Sequence, residues 1–430
     1  MSATPSILEP SATAVLRLPE FRALLLSRLL ATVGMSALAT VVAFQVYAIT
    51  REPLALGLLG LVEAIPALGL MLVGGHLADR RDRRTIILVC SAITVAGAFG
   101  LALMSMAPDV LGLAGILAVI FVAGIGNGFE RPAMTAFEMQ VVPLAYAARG
   151  ASWTGAVWTG GAIVGPALGG ILIAVIGITG TLFAITAALA IGGLLVLRIS
   201  RKPIPEPSHD EGMLTSIRSG ISYVLHSQAL VGSMALDLFA VFFGGAIALL
   251  PIFASEILAT PGEDPGLAAV RLGVLRAAPT IGALLAMLIT ARVAPRRRAG
   301  PILLACVGGF GVSMIVFGLS TSFWLSLAAL FMSGFTDGVS VVIRAVILRV
   351  ETPEALRGRV SAVNFLFIGA SNELGALESG VAATLLGVIP AIVAGAVVTL
   401  GVVGVVTLFL PELRRLDLGK RMVDGPGATP

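Results

Sequence analysis

The stretch Gly75-His76-Leu77-Ala78-Asp79-Arg80-Arg81-Asp82-Arg83-Arg84 decides the fold of this chain, and six of its ten side chains are ionised. Two apolar segments, 54–73 and 85–106, lie directly before and after it. Each is about as long as the roughly 20 residues that cross a bilayer as a helix. A charged turn between two such helices has to lie at the membrane surface. Its arginine excess predicts that this surface is the cytoplasmic one.

The composition of the whole chain is that of a helical protein with many membrane spans. Its 430 residues are 57% hydrophobic and only 12% charged, and the mean hydropathy is +1.01. A soluble protein this apolar would aggregate. The apolar segments lack the alternation of a barrel strand, so we expect helices, which pair their own backbone groups in lipid. The net charge of +4 comes without a basic cluster interleaved with aromatic residues, so no nucleic-acid partner is expected.

The sequence contains few groups suited to catalysis. Cys90 and Cys306 fall within apolar segments, and the three histidines have no metal-ligand partner at helical spacing. No nucleotide-binding loop, zinc helix or Ser/His/Asp set occurs in a matching context. We therefore expect no enzyme activity, no metal and no cofactor. The first 20 residues lack the apolar core of a cleavable signal peptide.

The hydropathy pattern predicts an all-α membrane protein with twelve transmembrane helices. Loops with an arginine excess fall on one side, which places both termini in the cytoplasm; the loop at 260–271 is the main exception. We expect two six-helix bundles, 1–199 and 228–430 with a short cytoplasmic tail, joined by a cytoplasmic linker at 200–227. The predicted spans are 22–49, 54–78, 85–107, 111–140, 150–175, 178–197, 228–257, 268–293, 300–319, 322–349, 359–385 and 388–410.

The two predicted bundles repeat each other in sequence. One set of matches has a constant offset of 210, which chance rarely gives over two helices and their loop. A second set, at offset 213, pairs Gly60, Glu63, Pro66 and Gly69 with Gly273, Arg276, Pro279 and Gly282. A parallel repeat of six helices is a known transporter arrangement. The first set pairs Phe121, Gly124, Gly128, Pro143, Arg149, Gly165, Gly170 and Gly177 with Phe331, Gly334, Gly338, Pro353, Arg359, Gly375, Gly380 and Gly387.

Every third predicted span lacks charged side chains. The third, sixth, ninth and twelfth spans carry none, which predicts that these helices face lipid. A charge at the bilayer centre costs about 2.5–3.5 kcal/mol on insertion scales, so the others should face a cavity or one another. The intramembrane candidates are Arg28, Glu63, Glu130, Arg131, Asp237, Arg276, Asp337, Arg344, Glu373 and Glu378.

Depth within the spans ranks these candidates. Asp337 and Glu373 fall near the middle of their helices and are the first choices for proton coupling or substrate contact. A structural ion pair that locks helices together is the alternative for every carboxylate. For the arginines, pairing inside the bundle and contact with an anionic substrate both stay open. Asp337 and Arg344 are seven residues apart, so they should share a helix face.

The run Gly75-x-Leu77-Ala78-Asp79-Arg80-x-x-Arg83-Arg84 resembles the loop motif between helices two and three of major facilitator superfamily transporters. The resemblance implies the twelve-helix fold and a cytoplasmic gate in which Asp79 meets the start of helix eleven, beside Arg357 and Arg359. A carboxylate is favourable at a helix N-terminus. Asp82 stands where the family usually has glycine. The gate residues implied are Gly75, Asp79, Arg80, Arg83, Arg84, Arg357 and Arg359.

Two further runs carry the resemblance into helix five and into one branch of the family. Gly161-x-x-x-Gly165-Pro166-x-x-Gly169-Gly170 is similar to the antiporter signature, although Ser152 replaces a glycine expected before it. Pro53-Leu54-Ala55-Leu56-Gly57, the run 124–132 and the run 352–360 resemble the bacterial branch that includes the enterobactin exporter. That branch often has an aspartate where this chain has Met35.

The sequence thus predicts a proton-coupled secondary active transporter of the bacterial inner membrane. We expect export of a hydrophobic or amphipathic small molecule by alternating access, in a chain that functions as a monomer. Its expected partners are the substrate, protons and the lipid bilayer. Two alternatives stay open: a passive flippase or facilitator of lipid-like molecules, and a non-transporting membrane partner or receptor.

Overall fold

The computed structural model is built of helices joined by short turns, and it describes residues 13–107, 112–204, 213–244, 246–293 and 297–419. No strand occurs within these ranges. The helices are α1 (Pro19–Thr50), α2 (Pro53–Arg80), α3 (Arg83–Met104), α4 (Leu113–Val141), α5 (Ala147–Val196), α6 (Met213–His226), α7 (Gln228–Gly244), α8 (Pro265–Arg292), α9 (Ala299–Leu319), α10 (Phe323–Glu351), α11 (Arg357–Leu386), α12 (Val388–Phe409) and α13 (Pro411–Arg414).

Helix α5 crosses the membrane twice. Its 50 residues would span roughly 75 Å if straight, more than twice the roughly 30 Å of a bilayer core. Gly177 breaks it with φ 73° and ψ 174°, a conformation open mainly to glycine. Both arms pack on α1, with Gly161 against Thr32 and Leu189 against Gly34. Eleven helices of spanning length among the described residues, one of them folded on itself, confirm the predicted twelve crossings.

The predicted span 228–257 is correct in extent but is not one regular helix. Helix α7 ends at Gly244, a 3-10 turn follows at Ala246–Leu249, and a π-helical turn occupies Phe253–Ile257. Pro251 lies between the two turns, in the short α-helical turn Leu250–Ile252, and because it has no N–H to donate it removes one backbone hydrogen bond there.

The internal repeat is present in the packing as well as in the sequence. Gly124 of α4 packs on the carbonyl of Glu63 in α2, and Gly334 of α10 packs on the carbonyl of Pro279 in α8. Only a residue without Cβ lets two helix backbones approach this closely. The turn at Gly387, with φ 89°, repeats the one at Gly177. Two six-helix units with the same internal contacts therefore make up the fold.

The two halves, 13–199 and 228–419, meet along two seams, α2 against α11 and α5 against α8. Gly380 packs against the backbone of Gly57, and Gly170 packs against the carbonyl of Ala269. These contacts lie toward the turns at Gly177 and Gly387, which we call the turn end. The other end, which holds the stretch 75–84 and the start of α11, is the arginine-rich end. Near it a Cβ on Gly75 or Gly155 would meet no atom within 4 Å.

The hydrophobic cores show the same asymmetry between the two ends. At the turn end one continuous core contains residues of both halves, such as Val41 and Phe253. At the arginine-rich end each half has a core of its own, one around Phe137 and the other around Leu230. The molecule is closed at the turn end and open at the arginine-rich end.

The linker contains a helix that the sequence did not indicate. Helix α6 packs on the second half, with Gly220 against the carbonyl of Arg359 and Val224 inside the core around Leu230. The hydroxyl of Tyr223 donates to the carbonyl of Glu351 at 2.6 Å. The last part of the predicted linker is therefore attached to the ends of α10 and α11.

Candidate functional site

Three ionisable side chains meet inside the second half, between α7 and α10. Arg344 forms an ion pair with Asp237 and, through Nη2, a second one with Oδ1 of Asp337 at 3.4 Å. Asp337 and Arg344 share a face of α10, as their spacing predicted. The side chains of Arg344 and Asp237 are 12% and 9% exposed, whereas that of Asp337 is 42% exposed. Arg344 thus binds one carboxylate in packed interior and another at the edge of open space.

A small cavity adjoins this triad. Its volume is about 10 Å³, roughly what the centre of one water molecule needs. It has room for a water molecule, and all of its lining residues belong to the second half. The lining residues are Asp237, Ala240, Val241, Cys306, Val307, Phe310, Asp337 and Ser340.

The first half contains a related charged group between α1 and α4. Nε of Arg28 lies 2.8 Å from Oε1 of Glu138. Glu130, two turns earlier on α4, accepts a hydrogen bond from the hydroxyl of Ser91 and is also attracted by Arg28. Helices α1 and α4 correspond to α7 and α10 in the repeat. Each half therefore places one arginine between carboxylates, but on opposite helices of the pair.

A separate polar group lies on the seam between α2 and α11. Oε2 of Glu373 covers the backbone of Gly60, where a Cβ would lie 2.7 Å from it. Glu63, one turn along α2, accepts a hydrogen bond from Nδ2 of Asn127 at 2.9 Å. The charge of Glu373 is repelled by Glu63 and attracted by Arg131. Two carboxyl groups from opposite halves thus lie in one polar site.

The two remaining intramembrane candidates lie apart from these groups. Arg276 of α8 crosses the other seam, and its Nη1 donates to the carbonyl of Ala39 in α1 at 3.0 Å. Glu378 of α11 is hydrogen-bonded to Ser379. Arg276 therefore acts between the halves, as its repeat partner Glu63 does on the opposite seam, while Glu378 makes a local contact.

Two arginines of the loop motif bind other helices of the first half. Arg83 donates to the carbonyl of Ala136 in α4 at 3.3 Å, and Arg84 donates to the carbonyl of Leu197, just after α5, at 2.7 Å. The last carbonyls of a helix have no partner within it. These contacts fasten the α2–α3 turn to its own half.

Asp79 makes no comparable contact with another helix among the contacts described. Its side chain is 69% exposed and lies 3.3 Å from Nη2 of Arg83, one turn away. At the start of α11, Arg357 is exposed and Arg359 donates to the hydroxyl of Ser219 in α6 at 3.2 Å. The structure does not bring Asp79 to these arginines, because the arginine-rich end is open. The implied gate contact belongs to a form closed at this end and stays a prediction.

The remaining motif residues have simple local roles. Asp82 is the N-cap of α3 and accepts a hydrogen bond from the amide of Arg84 at 3.2 Å, which gives a physical reason for aspartate where the family has glycine. Gly75 borders open space and Arg80 is exposed.

The helix-five glycines bring α5 close to two other helices. Gly161, Gly165 and Gly169 pack on α1, and Gly170 packs on α8. The carbonyl of Pro166 lies where a Cβ on Gly273 of α8 would be. The motif therefore places α5 in close contact with its own half and with the partner half at once.

Sequence reasoning missed two participants in these sites. Glu138 lies in the last turn of the predicted span 111–140 and was not among the candidates, although its spacing of eight from Glu130 puts both on one helix face. Asn127 carries no charge and was not considered. In the described ranges no group of three or more His, Cys, Asp or Glu side chains is arranged to hold a metal ion.

Comparison with known proteins places these features in a family. The sequence profile described as "transmembrane secretion effector" matches residues 10–424. The chain is 28% identical over 416 residues to the enterobactin exporter EntS of Citrobacter koseri, covering 95% of each chain. It is 28% identical over 406 residues to the enterobactin exporter EntS of Escherichia coli O1:K1, covering 92% of this chain and 93% of the relative.

Solved structures share the fold at low sequence identity. The nucleoside transporter NupG superposes with a TM-score of 0.73 at 13% identity, covering 90% of this chain and 98% of the other. A POT family transporter in complex with 5-aminolevulinic acid gives 0.72 at 14%, covering 91% and 96%. A bacterial homologue of the human lysosomal transporter Spinster gives 0.71 at 15%, covering 95% and 98%. The fold of this chain is therefore one found in transporters.

Proposed function

Because the chain belongs to the transmembrane secretion effector family of major facilitator transporters, we propose that it is a proton-coupled exporter of an amphipathic small molecule. It is a multi-pass membrane transporter, not an enzyme. The proposal adds the coupling ion, the substrate class and the location, which is the bacterial inner membrane with both termini in the cytoplasm. It also adds that the chain works as a monomer.

One observation carries the coupling: Glu373 of the second half lies against Gly60 of the first half, one turn along α2 from Glu63, so the two carboxylates repel each other across the seam. Two facing carboxylates repel unless a proton or cation is shared between them. Movement of one half against the other changes their separation and the distance from Glu373 to Arg131. A proton bound in one arrangement is therefore released in the other, which is what coupling requires.

Asp337 is the second coupling candidate. Its 42% exposed side chain adjoins the cavity, so a proton or a cationic group of the substrate can reach it. Its partner Arg344 belongs to the same half, so rocking alone leaves their distance unchanged. We assign Glu373 to proton coupling, and we assign Asp337 to binding a proton or a cationic group of the substrate beside the cavity.

Alternating access supplies the transport cycle, and the proton gradient sets its direction. The moving units are 1–199 and 228–430, and in the present arrangement the space between them is open at the arginine-rich end, which we place in the cytoplasm. Substrate enters there, the halves rock, and Asp79 meets the start of α11 to close that end. The relatives named as enterobactin exporters support export of an amphipathic compound. The chain has only three tyrosines, which argues against a sugar substrate.

Flux through purified protein in liposomes tests the proposal. Enterobactin and the amphipathic dye rhodamine 6G serve as probe substrates, and an internal pH dye reports proton movement. We expect substrate-dependent proton flux from the unmodified chain and at least a tenfold loss in Glu373→Gln, with Asp337→Asn also reduced. Glu412→Gln, an exposed carboxylate at the start of α13, is the matched control and should behave like the unmodified chain.

Other outcomes would change the assignment. Normal coupling in both Glu373→Gln and Asp337→Asn would show that the site residues are wrong. Substrate movement that continues unchanged after a protonophore collapses the pH gradient would favour a passive facilitator.

A further inference from the structure

A polar contact at the turn end joins the two halves outside the transport site. The hydroxyl of Tyr47, near the end of α1, donates to Oε1 of Glu256 at 2.5 Å. Nη1 of Arg51 lies 3.4 Å from the same oxygen, and its guanidinium carbon is 5.6 Å from the centre of the Tyr47 ring. Tyr47 and Arg51 belong to the first half and Glu256 to the second.

Unusual backbone holds the residues on both sides of this contact. Arg51 has φ 54°, in the left-handed region that a non-glycine residue seldom adopts. Glu256 lies in the π-helical turn Phe253–Ile257, closed by the amide of Leu258 on the carbonyl of Phe253 at 2.9 Å. Single π-turns inside helices are frequent at functional positions. Both sides therefore depart from regular helix where the halves touch.

The tyrosine contributes more to this contact than the arginine. Tyr47 is only 3% exposed. If Glu256 moved away, a buried hydroxyl would be left without this hydrogen-bond partner. Arg51 and Glu256 are 62% and 48% exposed at the side chain, and ion pairs so exposed are screened by solvent. A short hydrogen bond to a carboxylate is among the stronger kinds.

We propose that Tyr47 and Glu256 form a latch that holds the turn end closed and must separate each time that end opens. The inference rests on the alternating-access part of the proposed function, and it needs neither proton coupling nor a particular substrate. Arg51 supports the latch by lying against both partners. The apolar core shared by the halves at this end seals it, while the latch adds the polar contact that a rocking motion has to break.

Pulsed electron resonance between two spin labels tests the latch. The labels are placed at Ile176→Cys and Leu386→Cys, exposed positions beside the two turns in opposite halves, in a Cys90→Ala/Cys306→Ala chain in liposomes. Tyr47→Phe removes one oxygen atom and keeps the ring. Glu256→Met removes the carboxylate and keeps the length. Glu263→Met is the matched control, because its partner Arg271 lies in the same half at the same end.

We expect Tyr47→Phe and Glu256→Met each to raise the ratio of long to short label distances about tenfold, or about 1.4 kcal/mol. Arg51→Gln should raise it about threefold or less, and Glu263→Met should leave it unchanged. The double variant Tyr47→Phe/Glu256→Met should shift the ratio no more than the larger single change, since both remove one contact.

Two results would overturn the latch. One is a shift in Tyr47→Phe and Glu256→Met no greater than that of Glu263→Met. The other is a double variant whose shift is the product of the single ones, which would mean that the residues act independently. The readout uses no substrate and no pH gradient, so a failure of the latch and a failure of proton coupling are distinguishable.

Discussion

The two halves of this transporter share close-packed glycines but differ in charge at several matched positions. Gly124 and Gly334 repeat, but Glu63 of the first half stands where Arg276 stands in the second, and Asp79 stands where Arg292 does, both at offset 213. The arginine of the bridge between the first and fourth helices of each half also changes sides. It is on the first helix in one half and on the fourth in the other.

This difference separates scaffold from function. At Gly124 and Gly334 a Cβ would meet a backbone carbonyl of the neighbouring helix, and glycine is present at this position in both halves. A charge can be exchanged provided that each half still pairs its buried ions. The charges that differ and also lie at the seams or at the open end are the ones available for coupling and gating. Four predictions follow from this comparison, in order of decreasing effect.

Breaking the ion pair inside the second half should have the largest effect. In Arg344→Met, Asp237 is left buried without its partner, and the free energy of unfolding should fall by about 3–5 kcal/mol. Chemical unfolding in detergent micelles measures this. Arg344→Met/Asp237→Asn is the control and should recover much of the loss, since no uncompensated charge remains. A loss under about 1 kcal/mol in Arg344→Met would show that the bridge is not structural.

The shared glycines should be equally sensitive in both halves. Gly124→Ala and Gly334→Ala place a Cβ against the carbonyls of Glu63 and Pro279, and overpacking of this kind costs about 1–3 kcal/mol. The same unfolding measurement applies, with Gly404→Ala of α12 as a control, because a Cβ there meets nothing within 4 Å. If only one half were sensitive, the two halves would not share a scaffold.

The exchanged charge at the arginine-rich end should affect transport and not stability. Asp79→Asn removes the carboxylate expected to meet the start of α11, so transport should fall about tenfold, or about 1.4 kcal/mol, with unfolding unchanged. Arg292→Gln, the repeat position in the second half, should transport normally. Equal losses in both variants would mean that surface charge at this end, and not the Asp79 contact, is what matters.

The sequence predicted those parts of the molecule that depend on neighbours along the chain. Apolar length and the glycine repeat were enough for twelve crossings and for the turns at Gly177 and Gly387. Contacts between distant segments were out of reach: nothing local indicates that Tyr47 meets Glu256, 209 residues away. Helix α6 was missed for the same reason, since its partners are the ends of α10 and α11. Depth along a helix selected Glu373 as a candidate but could not show that it lies against Gly60, one turn from Glu63.

The smallest expected effect concerns the α7–α8 connection, which has no counterpart in the short turn at Arg51 and Glu52 of the first half. Glu263 accepts hydrogen bonds from the amide and hydroxyl of Thr260 and pairs with Arg271. The backbone hydrogen bond from Thr260, together with these other partners, holds the pKa of Glu263 below its ordinary value of 4.5.

Since the folded-state pKa is the lower one, the stabilisation by Glu263 is complete above pH 4.5 and is lost as the pH falls through the folded-state value. Glu263→Gln should therefore lower the free energy of unfolding by less than about 1 kcal/mol at pH 7, and the difference from the unmodified chain should shrink at acid pH. Unfolding at a series of pH values measures both. A difference that grew on acidification would mean that the connection is held by contacts other than this carboxylate. The longer loop of the second half would then be held in place by packing.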